Sequence, residues 1–138
     1  MKAAMFCVPI LLTVACSSER ADSRKLVDQI EQSIKLPEDA GELQSYARYY
    51  ARKGNVVYAS YIVEPKDWRE FVKRDCAVQA KAFPCNDPDY GVIEGGNYRW
   101  VEKKDYLPFM NGGGCLYIDI EYDILRKSFT KVSCSGSH

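Results

Sequence analysis

The stretch Asn111–Gly136, NGGGCLYIDIEYDILRKSFTKVSCSG, decides how the rest of the chain is read. Three glycines interrupt the backbone. Leu116, Ile118, Ile120 and Tyr122 then alternate with Tyr117, Asp119, Glu121 and Asp123. Period-2 alternation rich in β-branched and aromatic residues predicts a strand with the first set buried and the second in water. A polar turn around Leu125 to Lys127 leads into a returning strand, Phe129 to Cys134. Cys115 and Cys134 stand at the open end of this hairpin, where a disulfide would close it. One conflict is visible. A ladder that sets Cys115 opposite Cys134 also sets Ile118 opposite Lys131. Sliding it by one residue pairs Ile118 with Val132 but sends the two cysteines to opposite faces. A bulge near the glycines or at Ser133 would reconcile the two demands.

Working outward, Val56 to Val63 is a second strand. The residues before it, YARYYARKGN, have two readings. Asp39 with Glu42 forms a possible capping box, and Leu43, Tyr46, Ala47, Tyr50 and Ala51 fit a helix ending before Gly54. Alternatively the chain forms a hairpin from about Ser45, turning at Lys53-Gly54, with Tyr49 opposite Tyr58 and Tyr50 opposite Val57. Tyrosine density and the short gap favour the hairpin. Asn97 to Lys103, NYRWVEK, also alternates and predicts a strand, and Asp105 to Gly114 reads as a connecting loop.

Upstream, Leu26, Val27, Ile30 and Ile34 fall on one helical face, with Arg24, Asp28, Glu31 and Lys35 on the other, until Pro37 stops the pattern. Trp68, Phe71, Val72 and Cys76 are spaced for a second short helix, and Phe83 to Gly91 is a Pro- and Asp-rich loop. The expected fold is therefore α+β. An N-terminal helix packs on a small, mainly antiparallel four-stranded sheet that ends in a disulfide-closed hairpin. It forms a single domain over 24–138 behind a polar tether at 16–23.

The chain has 19 basic and 19 acidic residues. Nothing in that balance suits a protein held to nucleic acid by phosphate contacts. Residues 3 to 15, AAMFCVPILLTVA, follow Lys2 as an apolar run. The run is too short for a spanning helix, which needs about 20 residues, and suits a signal peptide over 1–15. Its end, Thr13-Val14-Ala15-Cys16 followed by Ser17-Ser18, resembles the lipobox of bacterial lipoproteins. In that family a small residue precedes a cysteine that is lipidated and becomes the mature N-terminus. The box has Thr13 where leucine is usual. The resemblance implies a lipid anchor on Cys16, with Ser18 favouring the periplasmic side of the outer membrane. Plain cleavage after Ala15, giving a soluble periplasmic or secreted protein, is the other reading.

Export leaves Cys76, Cys85, Cys115 and Cys134, an even set that predicts disulfides, with 76–85 and 115–134 as nearest pairs. Neither pair has zinc-knuckle spacing, and the only histidine is the terminal His138. No metal or other cofactor is expected.

Candidate chemistry is sparse. Asp119 and Glu121, two apart on one strand, would sit about 7 Å apart. That falls within the roughly 5 to 9.5 Å a glycan hydrolase needs between its carboxylates. A solvated strand face opposite the Leu116/Ile118/Ile120 core face explains them better. Gly112-Gly113-Gly114 precedes a strand, where a phosphate cradle requires a helix. A serine or cysteine nucleophile has no histidine base except His138. The tyrosines are left. Tyr46, Tyr50 and Tyr61 share a face of the expected hairpin, and such a face serves either as core or as a surface binding protein or glycan. The expected function is non-enzymatic binding or structure in the cell envelope. The loop Cys76–Gly91 is a second candidate contact, and one alternative function is an inhibitor of an envelope or foreign hydrolase that inserts the disulfide-braced loop Phe83 to Tyr90. A third reading is a glycan hydrolase using Asp119 and Glu121.

Overall fold

The computed structural model describes residues 15–63 and 93–135, with helix side chains from 20 onward. The chain divides at Ser33 into two compact units. The first contains one helix, α1 (Ala15–Ser33). It starts earlier than the apolar pattern implies and takes in residues 16–23, expected as a tether. Val27 and Ile30 are buried and Arg24 and Asp28 exposed, which is the predicted stripe. Among the described residues, no helix is long and apolar enough to cross a membrane.

The second unit is a five-stranded sheet: β1 (Ala47–Lys53), β2 (Val56–Ile62), β3 (Tyr98–Trp100), β4 (Gly114–Asp123) and β5 (Ser128–Ser135), in the order β3-β1-β2-β4-β5. The fold is α+β, with one strand more than expected. The sheet is also mixed, because β3 lies parallel to β1. The Tyr50 carbonyl accepts from Val101 N at 2.7 Å and the Asn97 carbonyl accepts from Arg48 N at 3.0 Å. A parallel neighbour needs a long crossover, here the segment between β2 and β3. Most of that segment, 64–92, lies outside the described residues, as do the expected helix at Trp68–Cys76 and the loop Phe83–Gly91.

The hairpin reading of 45–63 is the observed one, with a 3-10 turn at Leu43–Ser45 before it. Its register differs by two residues from the expected one, since Tyr49 faces Ser60 and Tyr50 faces Ala59. The connection is the two-residue turn Gly54-Asn55, with φ +63° at Gly54, which an L side chain rarely adopts. A slip of two leaves every side chain on its predicted face. Tyr46, Tyr50 and Tyr61 therefore do share one.

The β4–β5 hairpin resolves its conflict by two irregularities. Opposite Cys134 stands Ile118, yet Gly114 pairs with Ser135, so residues 115–117 have no rung on β5. This irregularity beside the glycines lets Cys115 reach Cys134, and their disulfide is formed, Cα atoms 4.5 Å apart. The second irregularity leaves Thr130 as an extra residue between Glu121↔Lys131 and Tyr122↔Phe129. In the turn, Asp123 Oδ1 accepts from the amides of Leu125 and Arg126, both at 2.9 Å. Two positions depart from the expected alternation. Leu116 is 45% exposed, because it lies at the end of the sheet beyond β5's regular rungs. Tyr117 is only 4% exposed, because its ring meets Phe109 edge-on and its hydroxyl bonds Ser60 at 3.1 Å.

Candidate functional site

Three surfaces of the sheet unit are candidates, and register decides which side chains each contains. Directly opposed residues share a face. One face therefore carries Tyr46, Tyr50, Val57, Tyr61, Ile118, Ile120 and Tyr122, all fully buried. The tyrosines are brought together as expected. The Tyr50 and Tyr61 hydroxyls are 2.7 Å apart, their rings meet edge-on, and Tyr50 also stacks on Trp100. Tyr46 Oη accepts from Gly41 N at 3.1 Å and donates to the Cys115 carbonyl at 2.7 Å. Every one of these hydroxyls is satisfied internally, which is what a buried phenol requires. These rings are core, with no open side to offer a protein or glycan.

The other face changes character from one edge to the other. Towards β1 it is apolar: Ala47, Tyr49, Ala51 and Val101 pack together beneath Ile93, Tyr106 and Leu107. Towards β5 it is charged, with Asp119, Glu121 and Asp123 on β4. Lys131 Nζ donates to Asp119 Oδ2 at short range on an exposed surface. That bond, chiefly, holds Lys131 above its ordinary range and so protonated. Burial raises the Tyr117 phenol, partly offset by its bond to Ser60. This is an ion pair beside a buried hydroxyl pair. Asp119 and Glu121 stand two apart on one face of β4, with Asp119 ion-paired to Lys131.

The third surface is the loop Leu107–Leu116 between the covered edge of that face and β4. Its ends are pinned. Tyr46 holds the Cys115 carbonyl, Val63 N donates to the Leu116 carbonyl at 2.8 Å, and Ser135 Oγ donates to the Met110 carbonyl at 2.8 Å. The disulfide fastens the same end to β5. Between the pins, Gly112, Gly113 and Gly114 all have positive φ, +79°, +88° and +58°. Such a run is open only to glycine at reasonable cost. Phe109 stands 68% exposed on one side of the run and Leu116 on the other. In sequence this segment reads as a connection. The signal available was its charge: from Tyr106 to Ile118 there is none.

Other predicted sites cannot be placed. Cys76, Cys85, His138 and the leader lie outside the described residues, and of Cys16 only the backbone, within α1, is described. Among the described residues, no group of three or more His, Cys, Asp or Glu is arranged to hold a metal ion. Comparison with family models, curated proteins and solved structures finds no match to this chain.

Proposed function

We propose that this chain is a small exported protein of a bacterial envelope that works by binding, and that the loop Leu107–Leu116 touches its partner. The observation that carries the reading is the contrast between the aromatic rings. Tyr46, Tyr50 and Tyr61 are buried, whereas Phe109 and Leu116 are exposed on a charge-free loop pinned at both ends. Pre-fixing a loop lowers the ordering cost of association, and an exposed aromatic on such a loop is the usual kind of anchor. The chemistry favours a protein with an apolar pocket over a glycan.

Export is supported by the apolar leader, by Thr13-Val14-Ala15-Cys16 and by the disulfide, a bond that belongs mainly to oxidising compartments. A lipid on Cys16, holding the chain to the membrane at the periplasmic side of the outer membrane, belongs to the same proposal. The inhibitor is its sharper form: a braced loop presenting Phe109 suits insertion into the cleft of an envelope or foreign hydrolase. Catalysis by Asp119 and Glu121 draws no support from their surroundings.

Capture from envelope extract with the full chain tests the reading. Phe109→Ser with Leu116→Ser should lose a partner that wild type retains, while the disulfide stays formed and the strand signature in circular dichroism is kept. Equal capture by both proteins would overturn it.

A further inference from the structure

Three asparagines lie among the described residues, and their main-chain settings differ. Asn55 sits in the β1–β2 turn, where its carbonyl accepts from Ile124 N at 2.9 Å and the β-branched Val56 follows. Asn97 donates to the Glu94 carbonyl and its own carbonyl accepts from Arg48 N. Asn111 stands in the exposed glycine loop, and neither it nor Gly112 has a hydrogen-bond partner among the described residues. A Cβ added to Gly112 would meet nothing within 4 Å. The nitrogen after Asn111 is therefore unshielded by its own residue and by its surroundings.

We propose that Asn111 is a self-modification site that deamidates through Gly112. The Gly112 main-chain nitrogen, having lost its proton, attacks Asn111 Cγ. The bond from Cγ to the side-chain nitrogen breaks, ammonia leaves, and a five-membered succinimide closes. Water then opens the ring at either carbonyl, giving aspartate or isoaspartate. The balance is one amide and one water in, one carboxylate and one ammonium out, with no oxidant or reductant. The step needs a main chain free to bring N and Cγ together. Gly112 and Gly113, positive-φ glycines between the pin at Met110 and the Gly114–Ser135 rung, provide that freedom, while the hydrogen bonds at Asn55 and Asn97 restrict it.

The product changes the loop's chemistry. A carboxylate appears in a stretch that has no other charge between Asp105 and Asp119, two residues from Phe109. Isoaspartate also adds one main-chain carbon before the glycine run. If the loop is the binding surface (this consequence alone rests on that reading), modification converts an apolar contact into one that must desolvate a charge.

The test is peptide mapping by mass spectrometry of the intact, oxidised full chain, aged at neutral and mildly alkaline pH. Exchange of the amide for a carboxyl group is followed at Asn111, with Asn55 and Asn97 as internal references. An opening cost of only 1.4 kcal/mol at the restrained sites is worth about tenfold, so Asn111 should convert at least ~10-fold faster. The rate should rise with pH, since the attacking amide must ionise. Conversion of Asn111 no faster than at Asn55 or Asn97, or only in denaturant, would overturn the proposal. The readout involves no partner. If Asn111 converts and aged protein still captures its partner normally, the modification stands and the binding role of the loop falls.

Discussion

The two hairpins of this sheet meet the same requirement, a buried apolar face, by different means. The β1–β2 hairpin is regular: seven opposed pairs, no shift, and a two-residue turn. The β4–β5 hairpin has two shifts, three residues without a rung on β5, and a covalent bond at its open end. In the first, side-chain pattern and turn agree, so the turn alone can set the register. In the second, the cysteines and the aliphatic residues ask for different registers. The chain satisfies both by giving up ladder hydrogen bonds at 115–117, and a disulfide holds the strands where those bonds are missing. Irregularity there also frees the backbone that becomes the exposed loop.

The sharpest way to break this contrast is in the regular hairpin. Tyr61→Ala leaves a large cavity under β1–β2 and removes the hydroxyl that Tyr50 bonds, and it should cost about 3–5 kcal/mol in denaturant unfolding. A loss below about 1 kcal/mol would mean the buried tyrosines are not the core that the pairing implies. Next comes the bridge. Cys115→Ser with Cys134→Ser should cost roughly 3 kcal/mol by loop-closure entropy, a large part of a 5–15 kcal/mol total.

Smaller effects probe the charged face. Burial holds the Tyr117 phenol above its ordinary value of 10.0. The unfolded chain therefore ionises first. Its contribution is intact below about pH 10 and declines as pH rises through the folded-state value. Tyr117→Phe should flatten the alkaline limb of a stability–pH curve, and an unchanged limb would assign that dependence elsewhere. Smallest is Lys131→Ala. Both partners are more than one-third exposed, so its loss should be under about 1 kcal/mol and vanish in high salt.

What could be read from the sequence follows the same division. The tyrosine face was legible because parity survives a two-residue slip: Tyr46, Tyr50 and Tyr61 share a face in either register. The need for an irregularity near the glycines was legible from the clash between cysteine and aliphatic positions. The parallel placement of β3 was not, because pairing partners across a long crossover leave no mark on a strand such as Tyr98–Trp100; the five strand-like segments themselves outnumber the four-stranded sheet expected of them. Leu116 and Tyr117 were misassigned for a local reason: alternation names two faces but not where a sheet ends or which loop covers it. The exposed loop is not legible because a charge-free, glycine-rich segment reads as a connector, and nothing in its composition shows that its ends are pinned.

Amide hydrogen exchange on the full chain, oxidised and then reduced, tests most directly whether the bridge does the work of the missing rungs. Reduction should strip protection from residues 113–118 and 133–135 while β1 and β2 keep theirs. Unchanged exchange at the bridged end, or loss spread evenly over all five strands, would contradict the account.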